Sequence, residues 1–220
     1  MTFHKLTSVA LALVMALSLS VPVFATEPDA SDSMVIGESG GYGYVPVILT
    51  TEGGAVVPGG DDDDNPGGGT LTFRVTVPTT LPAVVTADNE VITATNARIV
   101  NLSAGPVEVT SMTYISLGGW SIVDYGTSLA DEAVGTKVLA LDVNGCPSTS
   151  DPRENNTKFD QHTFMADFRS SGAGTDYLWA NHSAHNAMGV DYNIEIAPQG
   201  RAMHKEKVAA VVFTVAFYDA

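Results

Sequence analysis

Two imidazoles three residues apart, His182 and His185, and a run of four carboxylates, Asp61 to Asp64, are the side chains of this sequence best suited by type to hold a metal ion. Neither has the spacing that metal chemistry needs. Imidazoles three apart share a metal only where the backbone turns helically, and the helical zinc-protease pattern requires four-residue spacing with an intervening glutamate. An EF-hand loop counted from Asp61 would need glycine at its sixth position and glutamate at its twelfth, where this chain has Pro66 and Thr72. Gly37-Glu38-Ser39-Gly40-Gly41 matches the letters of a nucleophile elbow, yet it lies in a glycine-rich stretch with no helix pattern after it. The expectation is therefore a protein without catalytic residues, metal or cofactor.

Aromatic and thiol groups leave two further possibilities. Trp179, with Tyr177, Asp176 and Asn181 around it, is the candidate for stacking on a glycan, whereas Trp120 follows Gly118-Gly119 at a strand start and reads as core. Cys146 is the only cysteine, so no intramolecular disulfide can form. In the turn Asn144-Gly145-Cys146-Pro147 it is either an inert thiol or a link to another chain. Asn101, Asn155 and Asn181 each open an N-x-[ST] triplet, a common pattern in a chain rich in these residues.

Composition sets the compartment and excludes some partners. Residues 1–25 read as a secretory signal peptide: Lys5 in a short basic start, an apolar run, then Pro22 and a small-residue cleavage site ending at Ala25. The reading is a secreted, extracellular protein, associated with a cell surface, with no membrane span after cleavage, no lipid-bearing cysteine after Ala25 and no sorting signal at the end. A formal charge of -15 repels phosphate backbones, so nucleic acid is not an expected partner. With 45% apolar residues the chain can build one sizeable core.

The elements that would position these groups are strands. From residue 70 onward short β-prone runs alternate with turn residues, which predicts a single β-sandwich domain over 70–220 with about nine strands. The runs are 71–77, 91–102, 107–117, 120–125, 137–143, 159–168, 177–181, 190–197 and 208–218, with Phe73, Val75, Val109, Trp120, Phe213 and Val215 in the core. The last run is apolar on both faces and belongs in the middle of a sheet. Residues 26–69 differ: an acidic, Gly-rich, flexible extension carries one isolated β-prone run at 42–50, tethered through Gly53–Gly69. Tyr42, Tyr44, Val45, Val47, Ile48 and Leu49 make that run a candidate for strand addition, to its own domain or to a neighbour, with Pro46 placing it at an edge. The alternative is a spacer with incidental apolar residues.

The passages Leu71-Thr72-Phe73-Arg74-Val75-Thr76-Val77-Pro78, Thr93-Ala94-Thr95-Asn96-Ala97-Arg98-Ile99-Val100-Asn101, Gly105-Pro106-Val107-Glu108-Val109-Thr110, Gly119-Trp120 and Val211-Val212-Phe213-Thr214-Val215 resemble small secreted proteins of Gram-positive Firmicutes. More remotely they are similar to the camelysin/TasA group of biofilm-fibre proteins. That resemblance implies a jelly-roll or Ig-like sandwich behind a signal peptide, and fibres in which an N-terminal strand of one subunit completes the sheet of the next. The expected partners are therefore the protein itself or another surface protein, and the expected function is structural or adhesive. A monomeric extracellular glycan-binding module is the alternative.

Overall fold

The computed structural model describes residues 28–30, 33–37, 40–51, 73–151 and 159–219. Residues 1–27, the Asp61–Asp64 run with the whole of the 53–69 tether, and Asn155 lie outside them. The described chain is all-β, in three sheets. The first is antiparallel throughout and runs β1 (Ser33–Gly37), β3 (Arg74–Pro78), β6 (Arg98–Asn101), β11 (Ala187–Gly189). The second runs β5 (Val91–Thr93), β4 (Leu81–Val85), β2 (Gly40–Thr51), β13 (Glu206–Phe217), β7 (Val107–Ser116), with only the β2–β4 pair parallel. In the third, β9 (Val138–Val143) has β12 (Tyr192–Ile196) on one flank and the two-residue strands β8 (Ser121–Ile122) and β10 (Cys146–Pro147) as its other partners. One hydrophobic cluster draws on all three sheets, through Val45 and Phe213, Phe73 and Ile99, and Leu141 and Ile194.

β2 corrects two expectations at once. It is a central strand, flanked by β4 and β13, not an edge. Pro46 is compatible with this because the β4 ladder begins only at Val47, so a donor at position 46 would have no β4 partner to serve. Residues 33–37 and 40–51 are therefore part of the folded body and not of a flexible extension. Their residues complete two of the three sheets.

β13 explains why its run is apolar on both faces. Val211, Phe213 and Val215 point into the core at 0–2% exposure, while Val212, Thr214 and Ala216 lie half-buried on the opposite side. Along β7 the inward parity changes: Val107 and Val109 are buried, then Met112 and Tyr114. The register accounts for it. Val109 faces Val215 and Ser111 faces Thr214, so Thr110 is an extra residue, a β-bulge that shifts the following side chains to the other parity.

Several predicted strands are shorter or absent. The run 91–102 splits into β5 and β6, because the Ala94 N–H is taken by the Tyr192 hydroxyl at 3.1 Å rather than by a ladder. The run 159–168 is helical: α1 (Gln161–Phe164) starts at Asp160, whose carboxylate accepts the His162 N–H, and α2 (Ala166–Phe168) leads into a π-turn over Arg169–Ala173. Phe164, Met165 and Phe168 bury at helical spacing. Residues 177–181 contribute one bridge only, Leu178 to Val107. β1, β4, β10 and β11 were not among the expected strands. Gly118 ends β7 at φ +59, and a Cβ there would stand 2.7 Å from the Lys207 carbonyl, so this turn requires glycine.

Candidate functional site

The loop that carries Trp179 is built on Asn101. This side chain is wholly buried at the end of β6 and satisfies four backbone groups. Its amide nitrogen donates to the carbonyls of Gly105 (2.9 Å), Leu178 (3.3 Å) and Trp179 (2.8 Å), and its oxygen accepts the Ser103 N–H at 2.8 Å. The Asn186 amide donates in turn to the Asn101 carbonyl at 3.1 Å, and the Asn181 N–H to the Ser103 carbonyl at 2.9 Å. A buried network with its members satisfied is rigid, so residues 177–186 are held from beneath. The sequence signals Asn101 only as the start of a sequon, and its side-chain nitrogen is already committed.

Above that base Leu178 is 1% exposed and exchanges both of its backbone bonds with Val107, at 2.9 and 2.7 Å. Trp179 is 40% exposed. Its indole N–H donates to Thr175 Oγ1 at 3.1 Å, and the His185 ring stands edge-on with centroids 5.6 Å apart. Tyr177 stacks on Tyr218 at 4.2 Å. Asn181 lies at the loop tip, where its Oδ1 accepts the N–H of His182, a residue at φ 67.

Asp176, the fourth residue of the proposed glycan set, is already engaged. Its carboxylate pairs with Arg169, and with His162 Nδ1 at 3.0 Å. Desolvation works against its ionisation, but the hydrogen bonds from Arg169 and His162 outweigh that and hold its pKa below the usual range. It fastens the π-turn to the loop.

The strand-addition residues lie on β2. Tyr44 faces Val212, Val45 faces Val211, Val47 faces Ala209, Ile48 faces Lys207, Leu49 faces Glu206 and Tyr42 faces Thr214 across the β13 ladder. Val45 and Val47 are fully buried, whereas Tyr44 is 38% exposed on the outer face. Val45 and Val47 thus face inward, and Tyr44 does not fill a pocket.

Among the described residues no group of three or more His, Cys, Asp and Glu side chains could hold a metal ion. Gly37 closes β1 and Gly40 opens β2, so a strand follows the elbow-like letters. Cys146 is 4% exposed, with burial pushing its thiol pKa up, which argues against pairing between chains. An open cleft of about 650 Å³ between residues 85–89 and 198–202 contains Arg201, whose guanidinium is paired with Glu206. Among the described residues no helix is long and apolar enough to cross a membrane.

These features define an all-β protein with a rigid aromatic loop and an N-terminal strand inserted at the centre of a sheet. No protein-family model, curated protein or solved structure matches the chain.

Proposed function

We propose that this is a secreted, cell-surface structural or adhesive protein, a jelly-roll or Ig-like sandwich that assembles by exchanging its N-terminal strands between copies. The observation that carries the reading is the position of β2. A strand early in the described fold sits between β4 and β13, and residues 52–73 separate it from the next described strand in sequence. Those residues are rich in Gly and Asp, and a connection of that length brings the same ladder within reach of a neighbouring molecule. Exchange of an identical element between protomers creates no new interface at the exchanged strand. Its balance is set by the effective concentration of the tethered strand against that of free copies. The similarity to biofilm-fibre proteins and the signal-like start of the sequence support the same reading.

The test is a cysteine pair across the ladder. Tyr44 and Val212 are direct partners, so Tyr44→Cys with Val212→Cys, in a Cys146→Ala background, forms a disulfide wherever β2 docks. Exchange yields a ladder of covalent oligomers on non-reducing gels at high protein concentration. A single monomer band at every concentration rejects exchange, leaving β2 as an intramolecular strand.

A further inference from the structure

Of the two tryptophans, one is spent on the core and one is not: Trp120 is 3% exposed and Trp179 is 40% exposed. The exposed ring is also immobilised. Thr175 holds its N–H, His185 borders its edge, and the backbone on either side is fixed by the His185 carbonyl at 2.9 Å and by Asn101. A ring ordered in advance loses little rotamer entropy when a ligand stacks on it. Leu178 turns inward at its bridge to Val107, and of its two aromatic neighbours Tyr177 is half-buried and Trp179 exposed. Tyr218 stacks on Tyr177 with centroids 4.2 Å apart, adding a third ring to this end of the loop. Asn181 and the exposed His182 supply a polar rim at the loop tip.

The chemistry of this surface selects its ligand. A planar, partly apolar face next to hydrogen-bonding groups suits a pyranose ring, whose C–H face packs on the indole while its hydroxyls reach the rim. β-linked sugars with equatorial substituents present such faces repeatedly along a chain. Charge separates neutral from anionic glycans. The protein carries a formal charge of -15, Asp219 adjoins Tyr218, and the Arg169 cation beside the loop is consumed by Asp176. The same charge disfavours a stacked nucleic-acid base. We propose that Trp179 and Tyr177 form a stacking site for a neutral, β-linked polysaccharide. The site is independent of β2 exchange, because it rests on different elements.

Two soluble probes distinguish the sources of that chemistry: chitohexaose for an N-acetylated backbone and cellohexaose for a plain glucan. Titration of the purified protein with at least one of them at millimolar concentration is expected to give a saturable change in tryptophan fluorescence, which reports Trp179 because Trp120 is buried. Trp179→Phe, which keeps a planar ring, retains binding to within about tenfold, and Trp179→Leu weakens it by about tenfold or more. Protection of the wild-type indole from N-bromosuccinimide by the bound hexasaccharide gives a readout independent of any variant's folding. Absence of both the fluorescence change and the protection with either sugar overturns the proposal. Wild-type affinity in a folded Trp179→Leu variant, or equally tight binding of an anionic polygalacturonate oligomer, also overturns it.

Discussion

The Tyr192 hydroxyl, buried on β12, donates to the carbonyl of Pro82 on β4 at 2.5 Å, linking two strands that belong to different sheets. The same oxygen accepts the Ala94 N–H at 3.1 Å. One phenol thus supplies partners to two backbone groups where β5 leaves its ladder. Tyr192→Phe strands both in a dry environment, with an expected loss of about 1–3 kcal/mol in urea unfolding. A loss near zero would mean that water reaches this junction.

Phe213 fills the centre of the core from β13, fully buried and tilted against Phe164 with centroids 6.0 Å apart. Phe213→Ala is expected to cost about 3–5 kcal/mol by denaturant titration. A cost below 1 kcal/mol would show that the core collapses into the space.

Asp142 on β9 is held in a less favourable state. Burial raises its pKa above the ordinary carboxylate value, and the hydrogen bond from the Gly145 N–H, 2.8 Å, only partly offsets that. With the folded pKa above the unfolded one, the folded state binds the proton more tightly, so stability falls as pH rises through the interval between the two. Asp142→Asn keeps an acceptor for Gly145 and removes the charge. The variant is expected to melt higher than wild type at pH 7, with the difference closing as pH drops below the unfolded carboxylate range. A variant that melts lower at neutral pH contradicts this account.

The Cys146 thiol is expected to be silent toward a disulfide reagent such as DTNB in the native protein and to react stoichiometrically in guanidinium. Its 4% exposure and its raised pKa both act in that direction. Rapid labelling of the native state would place the thiol at the surface.

Chelation is expected to leave the melting temperature unchanged. A site saturated a hundredfold above its dissociation constant adds about 2.7 kcal/mol, a shift of several degrees that EDTA would reveal. Such a fall would point to ligands in the Asp61–Asp64 run.

What the sequence made legible was period and punctuation. Phe73 and Val75 as core, the two-sided apolar run of β13 and the Gly118-Gly119 break each state a local fact, and each holds locally. The bulge at Thr110 was hidden, since a run of Thr and Ser gives either parity a plausible face. The helical turn at 161–168 did leave a trace, an aspartate cap at Asp160 followed by Phe164 and Phe168 four apart, but its aromatic content resembled a strand. Trp179 was legible as an aromatic in a polar loop. Its support was not: Asn101 acts across 78 positions to reach Trp179, and no local pattern announces a buried amide. Pro46 misled for the same reason, because whether a missing donor matters depends on where the neighbouring ladder begins.

The pairing of β2 with β13 sets the order in which this molecule can be completed. Gly40 to Leu49 is made well before its antiparallel partner, which spans Glu206 to Ala216. Until then β2 has only β4 to lie against, so the sheet cannot close before β13 has been made. Contacts this distant along the chain place folding among the slower β topologies and leave an unpaired, aggregation-prone edge exposed in the interval. A holding chaperone, or transit in an unfolded state, would protect the nascent chain through the step at which it is most vulnerable.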